Sequence, residues 1–324
     1  MRHIFIVNSI AGKRMHKIFV PQVVDWFAQN GGSYEIIYTE YAGHCVEIAK
    51  ALAQTGEKLR IYACGGDGTL FETVNGIYGY SNVSVGHVPL GSGNDFIRYF
   101  GNKPRFLNIE CLVNGSAVTV DVLKVGDEYC INQCSAGMDA MAAANMVKFR
   151  RWPLVSGKMA YYLGIFYTFL KKIRFSFDID IDGSEPIKRD CLFVVAANSQ
   201  YHGGGFKGAP EANPTDGLIE CVTISAVSRL KVLRLLGKYR IGEHTGLDIY
   251  NHYPAERVSL SADREFVFVL DGEIRFGNNI EISIVKNAVD FILPVQTVGR
   301  RDSEAVPSAT KATAITPACD LQNR

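Results

Sequence analysis

Two short segments of this sequence combine glycines with a carboxylate, a pattern typical of phosphate-binding loops. Residues 65–69 read GGDGT, and residues 91–95 read GSGND. Glycine lets backbone N–H groups approach a phosphate closely, and a helix that begins at such a loop adds partial positive charge. Asp67 and Asp95 then stand where a carboxylate can hold Mg²⁺ beside the phosphates. The alternative interpretation is a pair of unrelated tight turns that need glycine for their dihedral angles.

The elements that must position these loops favour one shared site. Apolar runs and periodic stretches predict strands over 3–7, 34–39, 59–63 and 83–88 and helices over 16–29, 44–54 and 70–77, with a further helix opening after Asp95. This alternation is typical of a parallel sheet covered by helices on both faces. Ligands bind at the carboxyl ends of the strands in such sheets. Because each loop follows a strand, we expect the two loops to line one crevice.

The pattern changes after about residue 121. Short alternating segments predict antiparallel strands at 118–125, 128–133, 174–182, 192–197, 218–224, 258–262, 265–270 and 280–285, and helices are predicted around 158–171 and 228–241. The predicted fold class is α/β plus β. It comprises an N-terminal Rossmann-like parallel-sheet domain over 1–120 and a C-terminal antiparallel β-sandwich domain over 121–285. The chain near 286–298 is expected to return to the first domain, and the tail 299–324, rich in Ala, Thr, Ser and Pro, is expected to be disordered.

Composition and missing motifs exclude several classes of protein. The formal net charge of the 324 residues is +1, so no global basic field attracts the chain to nucleic acid. No apolar stretch approaches the length of a membrane span, and the N-terminus lacks a signal-peptide core. The cysteines form no CxxC metal pair, and the sequence has no GxxxxGK[ST], HExxH or GxSxG motif. We expect a cytoplasmic protein without a nucleic-acid partner.

Further segments extend the pattern, and together they resemble the catalytic domain of the diacylglycerol kinase family. That family includes bacterial lipid kinases and the sphingosine and ceramide kinases. Residues 8–13, NSIAGK, are similar to the family's Asn-Pro-x-x-Gly loop, residues 213–218 read NPTDGL, and residues 271–273 read DGE. The match spans about residues 1–295. Two departures are mild, since Ser9 replaces the usual proline and Ser92 the commoner threonine.

The resemblance implies an ATP-dependent lipid kinase that uses ATP and Mg²⁺. The leading acceptor is diacylglycerol, which gives phosphatidic acid. Asp271 is implied as the base, with Glu273 close by, and Asp67 and Asp95 as holders of catalytic Mg²⁺. A structural Mg²⁺ is implied at Asn213, Asp216 and Leu218. The implied nucleotide-binding residues are Asn8, Ser9, Gly12, Lys13, Thr39, Gly65, Gly66, Asp67, Gly68, Thr69, Glu72, Gly91, Ser92 and Asn94.

Several of these residues also allow a plain structural interpretation. Asp271-Gly272 between alternating strands is a strong hairpin signal, and the segment 214–217, PTDG, is typical of a turn. Lys13 could pair with a phosphate or remain a solvated loop lysine. The glycine-rich loop 201–207 either borders the acceptor site or is simply a flexible connection.

Two alternative functions remain open on the sequence. NAD kinases also carry a Gly-Gly-Asp-Gly loop, and a non-catalytic lipid-binding protein could keep the same fold. The later segments 91–95 and 271–273 favour a lipid kinase, and the retained Asp67, Asp95 and Asp271 argue against a non-catalytic protein.

Expected partners are a lipid substrate at a membrane surface and, from the bacterial members of the family, a second copy in a homodimer. Peripheral contact would take place at the inner face of the membrane. In the helix predicted at 228–241, Lys231, Arg234 and Lys238 fall on one face and could meet anionic headgroups. The alternative is an ordinary amphipathic helix with a solvated basic face. A second, equally weak candidate is the group Lys148, Arg150 and Arg151 beside Trp152.

Overall fold

The computed structural model describes residues 1–295 except 102, 151, 153, 154 and 156, and it does not describe the side chains of residues 13, 150, 158 and 161. The predicted tail at 299–324 therefore lies outside the described residues. Within the described part, the helices are α1 (His16–Asn30), α2 (His44–Ala53), α3 (Asp67–Ile77), α4 (Ile109–Val113), α5 (Met138–Arg150), α6 (Gly157–Lys171) and α7 (Arg229–Ile241). The strands are β1 (Arg2–Val7), β2 (Ser33–Tyr38), β3 (Leu59–Gly65), β4 (Val83–Pro89), β5 (Ser116–Val125), β6 (Glu128–Cys130), β7 (Gln133–Gly137), β8 (Phe175–Ile181), β9 (Ile187–Ala197), β10 (Ile219–Ser225), β11 (Tyr250–Ala255), β12 (Arg257–Leu270) and β13 (Glu273–Leu293).

The first four strands pair in parallel in the order β2-β1-β3-β4. The register places Val7 opposite Cys64, and Cys64 opposite Val88, so these three strands end side by side. β1, β3 and β4 are almost wholly buried apolar runs. Such runs are typical of parallel strands with both faces covered. The loops that follow β1, β3 and β4 consequently leave the sheet at one edge.

The strands after β4 pair almost entirely antiparallel. β12 lies between β13 and β7, β7 pairs with β9, and β9 continues through β10 to β11. β8 bridges β12 and β9. Two further groups of buried apolar side chains fill this half, separate from the core under β1–β4.

The long strand β13 connects the two halves. It runs for 21 residues, pairs antiparallel with β12 and β5, and then reaches β4, where Asp290 lies opposite Ser84 in parallel. All thirteen strands therefore belong to one hydrogen-bonded network. The last part of β13 lies against the first four strands.

The prediction of a mixed α/β fold with a strand-rich C-terminal part is confirmed. The expected helix after Asp95 is wrong, because only the 3-10 turn Phe96–Arg98 forms there. The predicted strands at 258–262 and 265–270 are one strand, β12, interrupted by a bulge between Ser261 and Phe266. The helix α5 was not predicted, since its sequence MDAMAAANMVKFR lacks a clear apolar face.

Among the described residues, no helix combines the length and the apolar character that a membrane span requires.

Candidate active site

The two glycine loops meet backbone to backbone at the edge where β3 and β4 end. The Gly91 N–H donates to the Gly65 carbonyl at 2.9 Å. A Cβ atom on Gly91 would lie 2.4 Å from the Gly66 Cα, closer than any real contact allows. Only a residue without a side chain lets the loops approach this far. The predicted convergence of segments 65–69 and 91–95 on one place is therefore confirmed.

The loop after β1 joins the same place. Gly12 has a positive φ of 57°, and a Cβ there would lie 1.5 Å from the Leu90 carbonyl oxygen. The Asn8 N–H donates to the Cys64 carbonyl at 3.0 Å, and its side-chain amide reaches the Thr69 hydroxyl at 3.3 Å. Three loops from three adjacent strands thus form one rim. The side chain of Lys13 lies outside the described residues.

Asp67, at the start of α3, holds the loop after β4 through two hydrogen bonds. Its two carboxylate oxygens accept the backbone N–H groups of Asn94 and Asp95, each at 2.7 Å. Burial raises the pKa of Asp67 above its usual range, and these backbone donors oppose the rise. The side chain therefore fixes the shape of the second loop, and its charge lies at the helix N-terminus, where a carboxylate is favourable.

Asp95 links this rim to the C-terminal half of the chain. One carboxylate oxygen accepts the Arg98 Nε–H at 3.0 Å, and the other accepts the Gly204 N–H at 2.8 Å. Burial, followed by the negative charge of Asp67, raises the pKa of Asp95. Arg98 was not among the predicted site residues, although a cation three residues after an acid in a helical turn is a readable signal. The loop 201–207 thus borders the site.

Asp271 lies on the predicted hairpin, and its implied role as the base stays a prediction. It is the first residue of a two-residue hairpin loop, with Leu270 opposite Glu273 and positive φ values of 48° and 100° at Asp271 and Gly272. Its carboxylate is also buried and accepts three consecutive backbone N–H groups at 2.7–3.3 Å, those of Ile131, Asn132 and Gln133.

The electrostatics of Asp271 make it a candidate proton acceptor. Burial raises the pKa of Asp271 to about 7, the backbone donors oppose this rise, and the charge of Asp67 adds to it. The negative charge of Asp67 therefore disfavours a second negative charge on Asp271. A carboxylate whose pKa lies near neutrality is well suited to general base catalysis.

Glu273 lies near the start of α3, and Glu72 lies in the middle of that helix. A Cβ on Gly68 would stand 3.3 Å from Glu273 Oε1, which places this carboxylate against the first turn of the helix. Partial desolvation raises the pKa of Glu273, and the charge of Glu72 contributes to the rise. Glu72 itself accepts the backbone N–H groups of Gly43 and Cys45 at 2.9 and 3.2 Å. Its carboxylate thus caps α2, which the sequence prediction did not foresee.

The remaining predicted nucleotide residues lie along the rim or beside it. Thr39 follows β2, and its N–H donates to the Val7 carbonyl at 3.0 Å. Ser9 is half-buried and Ser92 is exposed. Their contribution to nucleotide binding stays a prediction.

The predicted structural metal residues lie in a different place, at the turn before β10. The Asp216 carboxylate accepts the Leu218 N–H at 3.0 Å, and Asn213 Oδ1 accepts the Tyr99 hydroxyl at 3.0 Å. Asp121 holds the same turn, since it accepts the N–H of residue 217 at 2.7 Å. Burial, with a smaller contribution from the charge of Asp121, raises the pKa of Asp216.

Replacing Gly91 with alanine is expected to lower the free energy of unfolding by about 2 kcal/mol or more, because the added methyl group must push the two loops apart. Chemical denaturation of the variant measures this loss. The matched control is Gly237→Ala in α7, where a Cβ meets nothing within 4 Å. The control should be neutral or slightly stabilised, since alanine is a better helix former. Equal stability of the two variants would contradict the close loop contact.

Comparison with protein families gives two matches in sequence order. Residues 2–125 match the diacylglycerol kinase catalytic domain. Residues 132–293 match the YegS C-terminal NAD kinase beta sandwich-like domain, and this second match alone covers half of the chain.

Individual relatives agree with these matches. A diacylglycerol kinase from Bacillus subtilis is 28% identical over 272 residues, which cover 83% of this chain and 88% of the relative. A diacylglycerol kinase from Mycobacterium tuberculosis is 28% identical over 253 residues, covering 76% and 80%. Among solved structures, a diacylglycerol kinase from Bacillus anthracis has a TM-score of 0.69 at 18% identity, over 90% of this chain and 96% of that one. An NAD kinase from Archaeoglobus fulgidus in complex with ATP has a TM-score of 0.50 at 12% identity, over 91% and 94%. The two structural likenesses concern the fold alone.

Proposed function

We propose an ATP-dependent lipid kinase activity for this chain, which belongs to the diacylglycerol kinase catalytic-domain family. The γ-phosphate of ATP is transferred to a lipid hydroxyl, and diacylglycerol is the leading acceptor. The observation that carries the proposal is the contact of the Asp271 hairpin with the glycine-loop rim, since a Cβ on Gly68 would stand 3.3 Å from Glu273 Oε1. The charge of Asp67 on this rim also contributes to the raised pKa of Asp271. In this proposal the four parallel strands serve as a Rossmann-like nucleotide platform, and the strands after them form the lipid side.

The rim suits the phosphates of a nucleotide. Three glycine-containing loops end adjacent strands, and the N-terminus of α3 points its first backbone N–H groups toward the same edge. Gly12 and Gly91 are the rim positions where a Cβ would come closest to the backbone of a neighbouring loop, at 1.5 and 2.4 Å. A ligand bound at this edge would meet backbone donors with few side chains in the way.

The carboxylates of the rim fit a magnesium ion that arrives with the nucleotide. Asp67 and Asp95 are the two candidate ligands, and burial beside one another raises the pKa of Asp95. In the described part of the chain, no group of three or more His, Cys, Asp or Glu residues could hold a metal alone. Mg²⁺ commonly takes only one or two carboxylates and completes its shell with phosphates and water. Bound there, it would neutralise charge on the transferring phosphoryl group.

The protein's own side chains account for the remaining chemistry. The acceptor hydroxyl loses its proton to an oxygen of Asp271 while its oxygen forms a bond to the γ-phosphorus. The bond between that phosphorus and the bridging oxygen breaks, and ADP leaves with the electron pair. The backbone donors from residues 131–133 hold the Asp271 carboxylate in one orientation for this step. The negative charge of Asp67 favours proton uptake at Asp271, and Glu273 lies close by at the start of β13.

The pH dependence of the reaction follows from the raised pKa of Asp271, about 7. A base acts when it is deprotonated, so kcat/KM is expected to fall as the pH drops below 7 and to level off above it. Stability should show the opposite trend. A folded-state pKa raised from 3.8 to about 7 means that this group's contribution to stability is present below pH 3.8 and is lost as the pH rises to about 7. A rate profile that stays flat over about one pH unit on either side of this pKa would argue against Asp271 as the base.

The proposed function is tested by magnesium-dependent ATP consumption with three different additions. Mixed micelles containing diacylglycerol should stimulate turnover, and NAD or micelles without an acceptor should not. Stimulation by NAD alone would assign the activity of an NAD kinase. No turnover with any lipid hydroxyl, including phosphatidylglycerol, monoacylglycerol, undecaprenol and sphingoid bases, would leave a non-catalytic lipid-binding protein on this fold.

We also propose a second, structural Mg²⁺ at the turn of Asn213, Asp216 and Leu218. The proximity of Asp121 and Asp216, two acids at one turn, supports a cation there, since a bound cation relieves their repulsion. Millimolar Mg²⁺ without nucleotide is expected to raise the melting temperature of the wild type, and the rise should be lost in Asp216→Asn. The control variant is Asp263→Asn, which changes an exposed acid in β12. An equal rise in melting temperature in the wild type and both variants would contradict the structural Mg²⁺ site.

The cytoplasmic location and the homodimer belong to the same proposal and rest on the family resemblance. Contact with the membrane surface follows from the nature of the acceptor.

A further inference from the structure

We propose that the outer faces of α6 and α7 form a docking surface for an anionic lipid bilayer. This surface, called the docking face below, combines exposed apolar side chains with exposed cations on the two helices. Its members are Phe166, Leu170, Leu230, Lys231, Leu233, Arg234 and Lys238. The inference rests on the proposed function, which gives the reason why the protein would meet a membrane. The docking face is the part of the molecule that makes this contact.

Charge is concentrated on α7. Its 13 residues, RLKVLRLLGKYRI, include five Lys or Arg and no Asp or Glu, whereas the whole chain has a net charge of only +1. Lys231, Arg234 and Lys238 follow one another at helical spacing on one side and are exposed. A local field of this kind attracts an anionic surface although the chain as a whole does not.

Apolar side chains of α7 lie exposed beside these cations. Leu230 and Leu233 are each 58% exposed and Ile241 is 60% exposed, and no residue of the helix is buried. The opposite side, through Val232 and Leu235, packs against the C-terminal core. A helix that rests on its protein by one side and presents leucines next to cations on the other has the composition of an interfacial helix.

The outer side of α6 continues this apolar surface. Phe166 is 60% and Leu170 54% exposed, one helical turn apart. The inner side packs tightly on α5, since a Cβ on Gly164 would stand 2.5 Å from the Ala142 carbonyl oxygen. The sequence of α6 contains no Asp or Glu.

The two helices meet where α6 ends and α7 begins. The Arg229 guanidinium donates from Nε to the Phe169 carbonyl at 2.9 Å and from Nη2 to the Leu170 carbonyl at 3.0 Å. Leu170 and Leu230 therefore belong to neighbouring turns. Exposed apolar side chains that cluster on a surface are typical of interaction sites on proteins.

The docking face is connected to the proposed active site through one loop. Tyr239 Oη of α7 lies 2.6 Å from His202 Nε2, and the Lys207 N–H donates to the carbonyl of residue 240 at 3.1 Å. From the same loop, the Gly204 N–H reaches Asp95 at 2.8 Å. A bilayer that covers α7 would thus present its lipids close to the glycine-loop rim.

Charge also decides between a bilayer and a second copy of this chain. Two copies that met through this face would bring the cations of one α7 against those of the other, and like charges oppose such a contact. Anionic headgroups complement the face instead. The other predicted basic group is only partly described. Lys148 lies 5.9 Å from the centre of the Tyr167 ring, whereas Arg151 and the side chain of Arg150 lie outside the described residues.

Vesicle sedimentation tests the docking face without any turnover. The wild type should bind vesicles of equal parts phosphatidylcholine and phosphatidylglycerol at low salt, and vesicles of pure phosphatidylcholine far more weakly. The triple variant Lys231→Glu, Arg234→Glu, Lys238→Glu should lose about a hundredfold or more in partition coefficient, because each basic residue near an anionic surface contributes about fivefold and each new glutamate is repelled. The double variant Leu230→Ser, Leu233→Ser should lose about tenfold or more.

Matched controls make the same kinds of change, basic to acidic and aliphatic to serine, on the other half of the chain. Lys17→Glu, Lys50→Glu, Lys58→Glu and, separately, Ile18→Ser, Val24→Ser alter exposed positions there and should leave binding unchanged. Wild-type binding in both docking-face variants, or equal losses in the controls, would overturn the inference. So would a shift from dimer to monomer in the leucine variant with vesicle binding intact, since the face would then join two copies.

Separate measurements test the proposed function and the docking face. Lipid phosphorylation in detergent micelles reports on the active site, whereas sedimentation reports on the face. Vesicle binding without phosphorylation would contradict the kinase activity alone. Phosphorylation without the expected binding losses in the docking-face variants would contradict the docking face alone.

Discussion

Replacing Asp67 with asparagine is expected to lower kcat for lipid phosphorylation about a thousandfold or more, because charge neutralisation is the main task of a phosphotransfer site. The amide keeps the size of the side chain and one oxygen that can accept a backbone N–H. It removes the negative charge that would hold Mg²⁺ beside the phosphates. The loss should therefore persist at saturating ATP and acceptor.

The fold should survive this substitution. One of the two backbone N–H groups of Asn94 and Asp95 would face the new amide nitrogen, at a cost of about 1–2 kcal/mol. Removal of a charge that burial disfavours acts in the opposite direction. Steady-state kinetics with a thermal melt separate the two effects. The control is Asp25→Asn, an exposed acid of α1, and a kcat for Asp67→Asn equal to that of the control would contradict the proposed role.

Replacing Asp271 with asparagine is expected to lower kcat about a hundredfold to ten-thousandfold, the usual range for loss of a general base. The variant should also lose the fall in rate below pH 7, since the group that titrates at about this pH has been removed. A purely structural role would reduce the rate without changing the shape of the pH profile.

A matched control for Asp271 exists elsewhere in the chain. Asp182 also has a positive φ, 54° against 48°, and its carboxylate also accepts two backbone N–H groups, from Glu256 and Arg257. Asp182→Asn therefore makes the same chemical change in a similar turn at an exposed position. It should leave kcat and the pH profile unchanged. If Asp182→Asn and Asp271→Asn lose activity equally, turn distortion explains the loss and Asp271 is not the base.

The sequence predicted those parts of the site whose structure depends on a few neighbouring residues. The glycines of segments 65–69 and 91–95 indicate close backbone approach, and the register of β3 and β4 brings them together. Asp271-Gly272 indicates a two-residue hairpin, and the hairpin forms. In each case a few neighbouring residues carry the information.

Contacts between distant segments could not be predicted in this way. The backbone donors around Asp271 come from residues 131–133, about 140 positions away, and the Gly204 donor to Asp95 is 109 positions away. Glu72 shows the same limit, because its capping of α2 depends on how two helices pack. The expected helix after Asp95 reduces to one 3-10 turn, and Gly101 follows it with a positive φ of 75°, which lies outside the helical region.

We propose that this chain phosphorylates a lipid hydroxyl. The most direct measurement is the transfer of radiolabelled γ-phosphate from ATP to diacylglycerol in mixed micelles, with wild type and Asp271→Asn compared after organic extraction. We expect labelled phosphatidic acid with the wild type and almost none with the variant. Label that stays in the aqueous phase with the wild type would contradict lipid phosphorylation, and equal lipid label with both proteins would contradict the role of Asp271 as the base.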